Sequence, residues 1–427
     1  MSTDLSAAIQ SDVAQPSPRP PSDAKLASLV LCIVVAIERF SFHILFALFV
    51  LFLTEEHKLS EQQATLHFGL FLSVMYFTPF VGGAVADRFG RWRTIVFGAA
   101  LIAVGYLALA LGLSVACCVA TLAAGVGLFK GNLTALVGSL LPPSERDAAY
   151  SRFYVAVNLG ALPSGVSAGW LHSHYGFRTA FLVCFVAMAL IVPLGVLSQS
   201  LFDVLQQQEA ESHQTGSEGD RILAILGLLP VAMVFFCAFY QSGSSLTLFA
   251  KHNIHSTLLG VPIAPPVYQS LQAALVLGLT PVLNEIFRRW PCSTRNKLMI
   301  GMGLCSLSCL VMSDAAMVAS FAGRGGRVSP LWLIGSYTLL SVAELCVSPL
   351  GFSLVSKLSP PRISGLLMGL WMAATAVGNL GTGLLGILWE RWSHASFFGF
   401  LTVLSALAIP LLWIQRHRLD RVLGVAK

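Results

Sequence analysis

Four charged side chains stand inside otherwise apolar runs: the neighbours Glu38 and Arg39, then Lys130, then Glu344. A charge at mid-bilayer costs about 3 kcal/mol on insertion scales, so unpaired placement is disfavoured. Two negatives and two positives cancel, which invites a mutually paired cluster. In a low-dielectric medium such groups exchange protons and partners, which is the chemistry of gradient-driven transport. Static ion-pair glue is the alternative, but desolvation consumes most of the attraction, so the functional reading is preferred. His43 lies one helical turn beyond Arg39 and could titrate or bind a substrate. It reads equally well as a satisfied core histidine.

The elements that position these groups follow from composition. Of 427 residues, 56% are hydrophobic and 11% are charged, against roughly 25% charged in soluble domains. A lipid-facing exterior resolves that imbalance. Apolar stretches of roughly 20 residues cross the hydrocarbon. They lie near 26–53, 63–86, 94–113, 115–140, 149–171, 178–198, 222–249, 266–287, 298–321, 330–356, 363–389 and 395–415. The expected fold is all-α and membrane-embedded, with twelve transmembrane helices in two six-helix bundles. Residues 1–24 read as a disordered cytoplasmic tail, 25–198 as the N-terminal bundle and 199–220 as a cytoplasmic linker. Residues 221–415 read as the C-terminal bundle and 416–427 as a second cytoplasmic tail. No basic segment leads into a short apolar run, so no cleaved signal peptide is expected. Of the 26 Lys and Arg, eighteen fall on one side, six on the other, and Arg39 and Lys130 within spans. That bias puts both termini in the cytoplasm of a cell (inner) membrane protein.

The net charge of +6 therefore reads as topology, not as nucleic-acid binding. The nine cysteines are scattered, and Cys117–Cys118 has no zinc-site partner, so small apolar packing residues are the preferred reading. No phosphate loop, metal spacing or nucleophile elbow is present, which disfavours an enzyme and leaves no metal or cofactor expected beyond the proton gradient. Between spans 2 and 3 runs Gly83-Ala-Val-Ala-Asp87-Arg88-Phe-Gly90-Arg91. Gly83 would let two helices approach, Gly90 would permit a tight turn, and Asp87 with Arg88 and Arg91 would latch one conformation. A plain basic topogenic loop is the alternative.

This G-x-x-x-D-R-x-G-R run resembles the loop 2–3 signature of the major facilitator superfamily. An internal echo agrees: a Pro-Pro turn and an Asn-Leu-Gly helix recur in spans 4–5 and 10–11, as in duplicated bundles with a ligand site between them. Further motifs resemble the proton-dependent oligopeptide transporter family within that superfamily. Glu38-Arg-Phe-Ser41 is similar to its span 1 core, and Gly127-Leu-Phe-Lys130-Gly-Asn132 to its span 4 motif. Phe153-Tyr-Val-Ala-Val-Asn158-Leu-Gly160 resembles its span 5. Gln241-Ser-Gly-Ser-Ser and Tyr268-Gln-Ser-Leu271 resemble spans 7 and 8. Glu344-Leu-Cys-Val-Ser-Pro349 resembles span 10, and Met368-Gly-Leu-Trp371 span 11.

The resemblance implies proton-coupled di- or tripeptide transport through an occluding pocket between the bundles. By position, Lys130 is central to coupling with Glu38 and Arg39, Glu344 receives the peptide amino end, and Asn158 contacts its backbone. Tyr240, Gln241 and Gln272 join the substrate set by the same carry-over. Tyr76 and Trp371 are pocket walls, or else ordinary helix-contact aromatics. The implied partners are a small peptide or peptide-like substrate, protons and the lipid bilayer, with a monomeric chain.

The pattern also departs from the family. Val35 replaces an acidic residue before Glu38, and Phe46 replaces an arginine that holds the peptide carboxylate. Tyr240 replaces a span 7 glutamate, and Gln272-Ala273 an Asn-Pro. Losing the arginine removes bidentate carboxylate recognition and leaves an apolar wall. The leading expectation is therefore proton-coupled transport of peptides or peptide-like molecules. A proton-antiport exporter of a modified peptide and a non-transporting sensor are the alternatives.

Overall fold

A computed structural model describes residues 21–139, 146–205, 218–290, 292–323, 326–359 and 364–422. Span 1 is α1 (Pro21–Glu55), and span 2 is α2 (Glu61–Phe77) with α3 (Pro79–Phe89). Spans 3 and 4 are α4 (Arg91–Ala110) and α5 (Val115–Ser139). Spans 5 and 6 are both carried by α6 (Arg146–Leu197), followed by the short α7 (Gln199–Leu205). Span 7 is α8 (Glu218–Phe239), a 3-10 turn over Tyr240–Gly243, and α9 (Ser245–Asn253). Spans 8 to 10 are α10 (Val267–Arg289), α11 (Thr294–Phe321) and α12 (Leu331–Leu358). Span 11 is α13 (Ser364–Leu384) with α14 (Gly386–Arg391), span 12 is α15 (His394–Ala406) with α16 (Ala408–Ile414), and α17 (Arg416–Val422) ends the chain's described part.

Among the described residues, eleven helices are long and apolar enough to cross a membrane. The one over Arg152–Leu197 has 46 residues, ~69 Å of helix against a core of about 30 Å. It breaks at Gly176, where φ is 79° and ψ 179°, so it supplies two crossings and the total is twelve. Large apolar side chains such as Phe97, Leu190 and Trp413 are exposed on outward faces, as a lipid-solvated surface requires.

Local signals set the boundaries. Ser60 and Gln63 form a reciprocal capping box that starts α2 at the end expected outside, called the outer end below. Pro79 opens α3 and splits span 2, and Gly90 (φ 88°) turns the chain between spans 2 and 3. The only described hairpin, Thr257–Leu258 with Val261–Pro262, sits in the outer loop between spans 7 and 8. The two halves meet along two seams, span 2 on span 11 and span 5 on span 8. Both need glycine. A Cβ at Gly69 would lie 2.5 Å from Gly383 Cα, and one at Gly165 would lie 2.4 Å from the Pro266 carbonyl.

Several boundaries differ from expectation. Residues 21–24, expected in the tail, begin α1, because Pro21 suits a first helical turn and Asp23 favours its positive end. Residues 199–205, expected as linker, form α7 and dock on the N-terminal half. Phe202 is fully buried and stacks on Trp92 at 3.7 Å, and Arg93 pairs with Asp203 at 3.3 Å. Residues 416–422, expected as tail, form α17, whose Leu419 is buried. Residues 1–20 lie outside the described residues.

The close approach assigned to Gly83 belongs to its neighbour. A Cβ at Gly82 would lie 2.0 Å from the Gly127 carbonyl, whereas one at Gly83 meets nothing within 4 Å. The reason is helical phase: position 82 points at span 4 and position 83 is turned about 100° away. Gly82→Ala is therefore expected to cost about 1–3 kcal/mol through overpacking against backbone. A thermal midpoint in detergent should fall for that variant and hold for Gly83→Ala; equal midpoints would refute the assignment.

Candidate functional site

The four intramembrane charges do not form one cluster. Arg39 donates from Nε and Nη2 to the two carboxylate oxygens of Glu38, each at 2.5 Å, and both residues are buried, Glu38 at 3% exposure. The guanidinium also lies 4.6 Å from the Phe42 ring centre. The expectation of a shared cluster fails because this bidentate fork consumes both span 1 charges locally. Removing either partner would strand a buried charge, at about 3–5 kcal/mol.

Lys130 and Glu344 are left over. Lys130, on α5, places Nζ 3.7 Å from the centre of the Tyr76 ring, and no described carboxylate pairs with it. It lies within electrostatic reach of Glu38 and Arg39 without bonding them. Glu344, on α12, accepts one long bond of 3.4 Å from Gln272 Nε2 on α10. Its other electrostatic neighbours are Tyr154 of the N-terminal half and Tyr240 of span 7. Both charges keep some accessible surface, as do Tyr76 and His43. Each half thus contributes one charge that is neither fully buried nor ion-paired, and the two are opposite in sign.

Between them lies an aromatic seam. The hydroxyls of Tyr76 (span 2) and Tyr240 (span 7) hydrogen-bond across the halves. Phe46 is 3% exposed and touches Phe42, His43, Phe68 and Tyr240, with centroid separations of 5.9, 6.0, 5.2 and 5.9 Å. A Cβ at Gly243 would lie 2.5 Å from both the Phe46 and Phe68 rings. Phe46 is packed into the seam, its ring filling the recess that Gly243 leaves. Two of the departures from the family pattern, Phe46 and Tyr240, are neighbours in space.

Span 7 is broken where it meets this seam. The Ser242 carbonyl freed by the 3-10 turn accepts from Gln269 Nε2 at 2.8 Å and from the Tyr337 hydroxyl at 3.0 Å, which satisfies it away from water. Gln241 accepts from Ser245 Oγ, while its own Nε2 has no described partner. Asn158 donates to the Tyr154 carbonyl at 3.0 Å and is 8% exposed. Trp371 is buried, its ring filling the space that Gly351 leaves, and its Nε1 has no described partner. The loop 2–3 residues lie apart from this site. Arg88 is exposed and Arg91 half-buried, and the Asp87 side chain lies outside the described residues.

Sequence reasoning missed a second set of contacts that closes the outer end. Glu55 pairs with Lys251 at 2.8 Å and with His172 at 3.2 Å. Glu61 pairs with His252 at 2.8 Å and accepts from Trp389 Nε1 at 2.6 Å. The Gln62 amide donates to Glu390 at 2.7 Å. Trp389 in turn stacks on His394 at 3.9 Å. The available signal was only the acidic start of span 2 opposite a Lys-His pair ending span 7; nothing local joins them.

The comparisons agree with this architecture. The family model for the Major Facilitator Superfamily matches residues 31–323, and the chain belongs to that superfamily. The chain is 29% identical over 407 residues to dipeptide and tripeptide permease A of Citrobacter koseri, covering 80% of each. It is 28% identical over 437 residues to the peptide transporter YePEPT of Yersinia enterocolitica, covering 82% of this chain and 85% of that one. A crystal structure of the peptide transporter POT with sulfate superposes with a TM-score of 0.82 at 23% identity, over 92% of this chain and 95% of that one. A POT family transporter bound to 5-aminolevulinic acid gives 0.80 at 22%, over 93% and 96%. This multi-pass membrane protein of the superfamily is thus similar in sequence to peptide permeases and in fold to POT family transporters.

The outer contacts make a direct prediction. Spin labels at Lys58 and Leu259, both exposed and on opposite halves, report the outer separation once exposed Cys117 is replaced by Ala. Glu55→Gln with Glu61→Gln should add a longer-distance population. An unchanged distribution would mean that the Glu55 and Glu61 ion pairs do not hold the outer end shut.

Proposed function

We propose that the chain is a proton-coupled secondary transporter of peptides or peptide-like small molecules, working by alternating access between its two halves. The observation that carries this reading is the pair of opposite charges without a described ion-pair partner, Lys130 in one half and Glu344 in the other. A zwitterionic ligand satisfies both at once, its amine on Glu344 and its anionic group toward Lys130, and so favours closure of the halves around it. Protonation of Glu344 removes one side of that arrangement and releases the amine. The Glu38–Arg39 fork sets the local field without changing partners. Asn158, Gln241, Gln272 and His43 offer polar atoms around the same space, and Trp371 and Tyr76 the aromatic surface. The relatives' names, dipeptide and tripeptide permease and peptide transporter, support the substrate class.

The same proposal puts both termini on the cytoplasmic face of the cell membrane, from the Lys and Arg bias. It treats 25–198 and 221–415 as the moving bundles, with α7 riding on the first. It takes the protein as monomeric and assigns loop 2–3, through Asp87, Arg88, Gly90 and Arg91, to latching the inner end, with Gly82 in place of Gly83 making the close helix contact.

In proteoliposomes with an imposed proton gradient, Glu344→Gln and Lys130→Ala are each expected to reduce driven peptide accumulation more than about tenfold, the scale of losing a buried charged contact. Undiminished accumulation in both variants would sink the reading.

A second reading, export of a peptide with a modified carboxyl end, is favoured by Phe46, which leaves no bidentate cation at the place where relatives carry one. Counterflow against free and C-terminally amidated dipeptides separates the two. Preference for the amidated set supports export of a modified peptide, and preference for the free set removes it.

A further inference from the structure

Lys130 has to be held by something other than an ion pair. Its Nζ rests on the face of Tyr76, where the ring quadrupole attracts a cation, and the same side chain also hydrogen-bonds it. That ring is tethered at two points: its backbone in span 2, and its hydroxyl, which bonds Tyr240 of the opposite half. Tyr240 is itself firmly placed. Its ring is stacked on Phe236 at 5.9 Å, meets Phe239 edge-on at 5.2 Å, and touches Phe46 at 5.9 Å. It also begins the 3-10 turn that breaks span 7, whose Ser242 carbonyl is fastened by Gln269 and Tyr337.

A continuous line therefore runs from Lys130 in span 4, through Tyr76 in span 2, to Tyr240 in span 7. Only the last link crosses between the halves. We infer that Tyr240 is a positioning residue for Lys130, acting through Tyr76, so that the stance of the C-terminal half sets how the N-terminal half's unpaired cation is held. When the halves part at this level the hydroxyl link is cut, the Tyr76 ring is free to turn, and Lys130 loses its seat. A carboxylate at position 240 would draw Lys130 directly. A phenol acts at one remove, through the Tyr76 hydroxyl. The consequence for coupling rests on the transport reading of Lys130; the positioning itself does not.

The test uses Tyr240→Phe and Tyr76→Phe, which remove one hydroxyl each and keep every ring. The protein carries seven lysines, and 13C labelling at lysine Cε with Lys130→Arg for assignment isolates the Lys130 signal. Seated on a ring face, its Cε protons resonate upfield of the exposed lysines. Each single variant should move that signal toward the exposed position, and the double variant should move it no further. Driven uptake should fall in both singles, with the double no worse than Tyr76→Phe alone, because that variant already removes the hydroxyl bond that Tyr240→Phe removes, together with the bond from Tyr76 to Lys130. A Lys130 signal unmoved by Tyr240→Phe, or losses in uptake that multiply in the double variant, would overturn the inference. Wild-type protein that shows no proton-driven uptake would instead remove the transport reading, with the Lys130 signal still deciding the positioning.

Discussion

Hydrocarbon offers no water to a stranded polar group, and every feature of this molecule's centre follows from that constraint. A charge placed there must be paired, seated on a ring or left facing an aqueous space. The chain uses all three solutions. Glu38 and Arg39 neutralise each other within one helix. Lys130 sits on Tyr76, and Glu344 keeps a single long bond from an amide. The same rule governs the broken backbone of span 7, where the freed Ser242 carbonyl is given three donors, from Thr247, Gln269 and Tyr337.

That division explains why only some of the charges can work. A bidentate fork between adjacent residues is fully satisfied, and changing its partners would first require stranding one of them. Lys130 and Glu344 have weaker holds, so ligand, proton or water can compete for them at modest cost. Phe46 and Tyr240 lie in the same seam, at 5.9 Å from each other. Replacing a cation and a carboxylate together by two touching aromatics keeps the seam electrically balanced while removing two groups that would otherwise compete for Lys130 and for substrate.

The twelve spans were legible because long apolar runs have few alternatives in lipid, and the merged spans 5 and 6 were separable by the chain's return at Gly176. Lys130 and Glu344 were legible for the same reason, since an isolated charge stands out against an apolar run. The fork was not. Adjacent residues on a helix diverge by about 100°, so spacing alone does not pair Glu38 with Arg39, yet the long arginine side chain folds back. The outer closure was illegible for another reason. Gln62 and Glu390, or Glu61 and Trp389, are separated by 328 positions, and no local pattern encodes such a pairing. Gly82 against Gly83 shows the limit of motif reading, since either glycine fits a pattern and only helical phase decides which one meets span 4.

Span 7 joins these parts into one device. Its outer piece, Ser245–Asn253, ends in Lys251 and His252, consecutive residues that hold Glu55 and Glu61 of the opposite half. Its inner piece stops at Phe239, and the 3-10 turn between them carries Tyr240. Both outer carboxylates belong to the N-terminal half and both of these bases to one short helix, so a single displacement of that helix breaks two bonds together. The turn at its root is bonded to span 8 by Gln269 and to span 10 by Tyr337, so a pivot about Ser242 would keep both bonds where a slide would break them. A pivot there moves Tyr240 as well. The break in span 7 thus mechanically ties the closure of the outer end to the aromatic seam on which Lys130 depends.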